Sequence, residues 1–332
     1  MATVAIEGIH HVTSVASDPS RNVRFYTDVL GLRLVKQTVN FDDVTTYHLY
    51  YGNETGEPGT ALTFFPFEDG RPGRIGAGQV QTTQFHVPAG SLDYWVERFE
   101  DHGVEYDAPE DRWDERVLAF RDHDGLEYEL VATDRDTAVE PWGEVVPTEH
   151  AIRGFYGVAL AVHDVDPTAD LLETMGYERV VRRATERASG EGNDPQVEAS
   201  ENRRTRFEAP GEKAVVVDLV ESNVQSRPGT GTVHHVAFRV PDDDAQFTWQ
   251  EELRDAGFQV TDQKDRQYFR SIYFRERNGI LFEFATDGPG FDRDESVEQL
   301  GSALKLPPWL EDDRERIESQ LPALGLDAEV AR

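Results

Sequence analysis

The sequence predicts an α+β protein, four βαβββ units paired into two domains. Three observations carry this expectation. An alternating, β-rich stretch recurs four times along the 332 residues. A helix-like stretch follows each one and ends at a glycine: Gly31, Gly103, Gly176 or Gly257. Further strand-like stretches complete each unit before the next begins.

The first unit opens with Gly8-Ile9-His10-His11-Val12-Thr13-Ser14-Val15, a strand by its alternation. Residues 19–30 read as a helix, with Val23, Tyr26 and Leu30 on one face and Gly31 as its stop. Strands are expected at 33–39, 45–51 and 61–66. The second unit has a strand at 80–87, a helix at 92–102 and a last strand at 127–132. The third has 154–162, a helix at 168–175 and a last strand at 215–220. The fourth has 233–240, a helix at 244–256 and a last strand at 280–285. The expected domains are residues 1–141 and 152–290, joined by a linker near 142–152. Residues 187–205 are rich in Gly, Ser, Asn and charge and read as a mobile loop. Residues 291–332 read as a helical tail that packs outside.

Composition narrows the function. The net charge of −31 disfavours nucleic acid, whose phosphates need a basic surface. The acidic residues are dispersed, and lysine is confined to Lys36, Lys213, Lys264 and Lys305. That pattern suits a high-salt cytoplasm, where ions screen self-repulsion; an acidic face for a basic partner is the alternative. No apolar run reaches 18 residues, so no membrane span is expected. The first residues show no secretory signal. Cysteine is absent, which rules out disulfides and thiolate ligands. These features fit a cytoplasmic protein. Nothing fixes the oligomeric state, and a homo-oligomer stays open.

The histidines carry the chemistry. Ile9-His10-His11-Val12 and Val233-His234-His235-Val236 open the first and fourth units. One His from each pair, with Glu283 from the last strand, makes two imidazoles and a carboxylate. That set suits a non-haem Fe(II) with open coordination positions. Aligning the units sets Gly157 against His11, Thr82 against His235 and Glu129 against Glu283. One site is then complete, its counterpart keeps only a carboxylate, and one metal per chain is expected. Strand alternation lets only one His of each pair face the interior directly. His48 is a weaker candidate for a cavity wall. His86 is out of register, and His102, His123, His150 and His163 read as solvated.

This architecture resembles the vicinal oxygen chelate superfamily over about residues 5–290. The resemblance implies half-open β-barrels around one divalent metal. It makes the second His of each pair the ligand, so His11, His235 and Glu283 would hold the metal. His10 and His234 would sit behind or beside them. Extradiol dioxygenases of that superfamily use two His and one Glu in chains of similar length. Their common catechol-cleaving type needs a His in the third unit, where this chain has Gly157. A first ligand from the extreme N-terminus is similar to the hydroquinone-type ring-cleaving enzymes. In those an Arg, a Tyr seven residues on and a Glu ten beyond reach the site, as Arg266, Tyr273 and Glu283 are spaced here. Thr13 is similar to a pocket Thr of the same enzymes. The implied cofactor is Fe(II), with Mn(II) accepted by the same ligands. The implied substrates are a small aromatic diol, a para-hydroquinone, and O₂. Tyr273 would hydrogen-bond the reacting oxygens, while Arg266, His10 and His234 position substrate or move protons. Rival expectations are a glyoxalase-like lyase or isomerase and a non-catalytic aromatic-binding protein. Tyr273 as a packed strand aromatic and Arg266 as a surface loop charge are the plainer readings of those two residues.

Overall fold

The computed structural model describes residues 4–180 and 204–326. The four repeats appear as two curled sheets, of eight and nine strands. The eight-stranded sheet runs in the order Lys264–Asp265, Arg270–Arg275, Leu281–Thr286, Thr232–Val240, Ile9–Ala16, Ala61–Pro66, Asp43–Gly52, Arg33–Asn40. It therefore joins the first unit to the fourth. The second sheet joins the third unit to the second through antiparallel pairing of Phe155–Val162 with Gln79–Pro88.

The expected domains, residues 1–141 and 152–290, are sequential halves, and the sheets are assembled otherwise. Each sheet takes one unit from either half. The cause is the antiparallel pairing of the opening strands: Ile9–Ala16 lies against Thr232–Val240, not against Gln79–Pro88. Within each unit the opening strand pairs in parallel with that unit's last strand, as Ile9–Ala16 does with Ala61–Pro66.

Helices cover one face of each sheet. Tyr26 packs on Phe64 at 4.4 Å between ring centroids, Phe99 on Phe120 at 4.7 Å and Trp249 on Phe284 at 5.4 Å. Burying such rings contributes about 1.5–3 kcal/mol each. The opposite, concave face is left for a site. The four helix-ending glycines have φ of +67°, +65°, +94° and +84°, the left-handed conformation in which glycine has no Cβ clash. The first helix ends sooner than expected: Pro19–Arg24 is α-helical and Phe25–Val29 continues as a π turn.

The tail also departs from expectation. Residues 295–324 hold short 3₁₀ turns, such as Pro308–Asp313, and one five-residue helix, Arg314–Glu318. It packs against the edge strand Arg33–Asn40. Fully buried Lys36 reaches Asp294 at 2.7 Å and Glu295 at 2.5 Å. Of the loop expected at 187–205, residues 187–203 lie outside the described residues, and Arg204 and Thr205 begin the strand Arg204–Glu208. Among the described residues no helix is long and apolar enough to cross a membrane.

Candidate metal centre

Residues paired across strands share a face of the sheet. His11 pairs with Ala237, Ala237 with Glu283, and Glu283 with Tyr273. One row of side chains thus crosses four strands of the concave face. His235, two residues before Ala237, lies on the same face. Ala237 is the small member of the row, and its methyl leaves space above it for longer neighbours to converge. The Nε2 atoms of His11 and His235 are 3.2 Å apart. Glu283 Oε2 lies 3.4 Å from the first and 2.8 Å from the second.

These separations fit a metal. Donors about 2.1 Å from one ion and at right angles lie about 3.0 Å from each other. Glu283 Oε2 is buried without a hydrogen bond of acceptable geometry, while Ser271 donates to Oε1. Burial by itself would raise the Glu283 carboxyl, but His11 and His235 beside it hold it well below the usual range. Burial lowers His235 below its ordinary value, which favours the neutral, ligating form. Two imidazole lone pairs and a carboxylate oxygen aimed at one point repel each other unless a cation sits there. Among the described residues, His11, His235 and Glu283 form the one such three-residue cluster.

The remaining histidine of each pair does not point away, as strict alternation had required. Ile9 and His11 pair with the consecutive residues Phe238 and Ala237, so His10 is the extra residue of a bulge. Thr13 and Ser14 pair with His235 and Val233, so His234 is extra on the other strand. Each bulge turns the first imidazole toward the second. His10 and His11 bring their Nδ1 atoms to 2.9 Å, and His234 and His235 bring theirs to 2.8 Å. With Nε2 of His11 and His235 left as lone-pair donors, their Nδ1–H groups donate to His10 and His234. His10 Nε2–H then donates to the Thr286 carbonyl at 3.2 Å. Such partners fix the tautomer and orientation of a metal-binding imidazole.

His11 and His235 of the cluster line a cavity of about 210 Å³, and Glu283 is buried beside them. The cavity walls include Phe65, Phe269, His48, Tyr50, His234 and Tyr273. Burial, with Glu283 nearby, raises the Tyr273 phenol well above its ordinary value and keeps it protonated. Arg266 Nε donates to Tyr273 Oη at 3.1 Å, and its Nη2 donates to Asp42 at 2.9 Å. His10 and Thr13 stay behind the wall, and the Thr13 hydroxyl is 2.8 Å from that of Thr63. Sequence reasoning missed Ser271, Ala237, Tyr50 and Asp42. Ser271 could have been found from its two-residue spacing to Tyr273; Asp42, on a hairpin turn, has no such signal. Two histidines expected to be solvated are packed instead. His150 stacks on Tyr94 at 4.5 Å, and the His123 ring contacts Phe25.

The equivalent place in the second sheet is filled. Glu129 pairs with Gln84 as Glu283 does with Ala237. Gln84 donates to Glu129 at 2.8 Å, and Arg112 grips both carboxylate oxygens at 2.7 and 2.8 Å. Burial opposes ionisation of Glu129, but Arg112 and Arg204 hold its pKa at about 2. Thr82 pairs with Ala159 as His235 does with Thr13. A Cβ on Gly157 would lie 2.2 Å from the Val216 carbonyl oxygen, so no imidazole fits there. Guanidinium groups supply the positive charge in this sheet.

Comparison with known proteins agrees with this geometry. A family model described as Glyoxalase/Bleomycin resistance protein/Dioxygenase superfamily matches residues 8–130 and 183–284. The chain is 45% identical over 318 residues, 95% of each sequence, to a Bacillus subtilis (strain 168) protein named "Putative ring-cleaving dioxygenase MhqO". It is 36% identical to the chlorohydroquinone/hydroquinone 1,2-dioxygenase of Sphingobium indicum, over 92% of this chain and 93% of that one. A crystal structure described as a "putative dioxygenase" from Bacillus subtilis subsp. subtilis str. 168 superposes with a TM-score of 0.87 at 43% identity, covering 97% of this chain and 99% of that one. With this fold, this cluster and these matches, the chain belongs to the Glyoxalase/Bleomycin resistance protein/Dioxygenase superfamily.

Proposed function

We propose that the protein is an Fe(II)-dependent ring-cleaving dioxygenase that inserts O₂ into a para-hydroquinone. The observation that carries this reading is the row His11, Ala237, Glu283, Tyr273 with His235 next to it, bordering an aromatic cavity. Two imidazoles and one carboxylate leave coordination positions free, which this chemistry needs. The names of the relatives support the substrate class. Glyoxalase-like isomerisation is the weaker reading, because among the described residues one carboxylate, not two, joins the imidazoles.

His11, His235 and Glu283 would hold the iron, and Mn(II) would fit the same donors. When bound, the metal supplies the electron transfer between aromatic ring and O₂. The chain's own residues do the rest. Phe65 and Phe269 line the slot for a flat ring and exclude water. The Tyr273 hydroxyl, aimed by Arg266, donates to charge that develops on oxygen. His234, with Nδ1 accepting from His235, presents Nε2–H at the cavity wall and orients the diol. His10 and Thr13 steady the ligand strand from behind. The dispersed acidic surface suits a high-salt cytoplasm.

The test is direct. Metal content is measured on the purified chain, which is then loaded anaerobically with Fe(II). Oxygen uptake is followed with hydroquinone, chlorohydroquinone and catechol. Uptake with the para-diols and little with catechol is expected. Cleavage of catechol alone would overturn the subclass, and no iron-dependent uptake would overturn the activity.

A further inference from the structure

The cavity wall outside the metal centre carries two opposite charges, and they face each other. Among the described residues its lining holds one guanidinium, Arg266, and one carboxylate, Asp42. Arg266 Nη2 donates to Asp42 at 2.9 Å. Burial lowers the lining imidazole of His48 below its ordinary value and raises the phenols of Tyr50 and Tyr273 above theirs. All three therefore stay uncharged. Val15, Phe41, Phe65 and Phe67 add an apolar wall.

The ion pair has a direction. The Asp42 side chain is 60% exposed and that of Arg266 17%, so the carboxylate stands on the solvent side with the guanidinium behind it. Asp42 sits on the turn between Arg33–Asn40 and Asp43–Gly52, at one edge of the eight-stranded sheet. Arg266 follows Lys264–Asp265, the strand at the other edge. Lys264 Nζ also lies 3.7 Å from Asp42. The curl of the sheet thus brings its two edges together, and a carboxylate stands where they meet. Arg266 reaches inward from there, with Nε donating to Tyr273 at 3.1 Å. Such partly exposed pairs contribute little to stability. Asparagine suits the same turn and accepts the same hydrogen bond, so the charge is the part that the fold does not require.

We propose that Asp42 sets the charge selectivity of the cavity: it admits uncharged para-diols and turns away those that carry a carboxylate. Resting on the ring-cleaving reading, this selectivity narrows the substrate to diols without charge. A carboxylate that enters the cavity leaves water, at a large cost unless a cation receives it. Arg266 is the cation of the wall, and Asp42 already neutralises it. The approaching anion also meets Asp42 on the solvent side, and like charges repel. An uncharged diol of the same shape meets neither obstacle.

The probes are 2,5-dihydroxyphenylacetate and its amide, alike in shape and different by one charge. The first readout needs no activity. Isothermal titration of the metal-free full chain, without oxygen and near neutral pH, gives a Kd for each. Wild type should bind the amide roughly tenfold tighter than the acid. Asp42→Asn should move the amide-to-acid ratio roughly tenfold toward the acid, the low end for a hydrogen bond to a charged group. Asp42→Glu restores the charge and should restore the preference for the amide. Asp111→Asn removes an exposed carboxylate of the second sheet and should leave the ratio as in wild type. An equal shift in Asp111→Asn would overturn the proposal, because net charge and not Asp42 would then decide. Equal Kd values in wild type, an unmoved ratio in Asp42→Asn, or no binding of either probe would overturn it too. The second readout is oxygen uptake at equal iron loading. The kcat/KM ratio for the two probes should move by the same factor, and a ratio within one protein cancels any general loss of rate. An unmoved ratio there also overturns the proposal. If the wild type shows no uptake with hydroquinone the function fails instead, and the Kd values still decide the selectivity.

Discussion

At the scale of single residues, Tyr273 and Glu129 give the sharpest tests. Tyr273→Phe removes one hydroxyl and keeps the ring, so the protein should fold and load iron normally. Loss of a positioned donor to developing negative charge costs about 2.7–4 kcal/mol, roughly 10²–10³ in rate. Oxygen-uptake rates at equal iron loading measure it, and equal rates would remove Tyr273 from the mechanism. Glu129 reports on stability instead. Its folded pKa of about 2 lies below the unfolded value of about 4.3. The stabilisation is therefore fully present above about pH 4.3 and is lost as pH falls through about 2. It amounts to something on the order of 3 kcal/mol. The Glu129→Gln protein should lose less thermal stability than wild type between pH 5 and 2, and parallel Tm curves would show that Arg112 does not stabilise the carboxylate. The cluster was legible because His11, His235 and Glu283 recur at unit-equivalent places where Gly157, Thr82 and Glu129 stand. Arg112 was not, because its strand, Glu110–Arg112, is too short to carry a pattern.

At the scale of elements, the metal row depends on a small residue between two long ones. Ala237→Leu would push a branched side chain into the space over which His11 and Glu283 converge. It should abolish iron binding while the far-UV circular dichroism stays native, whereas Glu129→Ala should keep full metal content. Elemental analysis of the two proteins decides this, and full occupancy in Ala237→Leu would sink the row geometry. The strands, the helix stops and their order were readable from alternation and from four glycines. The bulges at His10 and His234 were not. A bulge leaves composition and alternation nearly intact and shows itself only in the partner strand's register. The same bulges recur in the second sheet at Tyr156 and Gln81, where no histidine uses them. They therefore belong to the unit and not to the metal. The tail differs from expectation for another reason: Gly301, Pro307, Pro308 and Pro322 break the helical spacing at 295–324 into short pieces.

At the scale of the whole molecule, charge sets the conditions of work. A net charge of −31 repels itself over about 10 Å in 0.1 M salt and about 3 Å in 1 M. The Tm should rise between 0.1 M and 2 M KCl. A flat or falling Tm would return weight to an acidic docking face for a basic partner. The sheets pair the first unit with the fourth and the third with the second, as the shared placement of His11, His235 and Glu283 implied, while the division at 142–152 follows order along the chain. Repeats show which pieces are alike and not which of them bond. Joining the first unit to the last has a further result, in time and not in space. His235 follows His11 by 224 positions. At about 5–20 residues per second, the ribosome makes the second ligand roughly 10–45 s after the first. Through that interval the opening strand has Ala61–Pro66 beside it but lacks its antiparallel neighbour, while the second and third units can already close on each other. On the proposed reading, a nascent chain that stops short of Glu283 lacks part of the His11, His235 and Glu283 cluster, so metal occupancy would mark chains whose fourth unit has been made and folded.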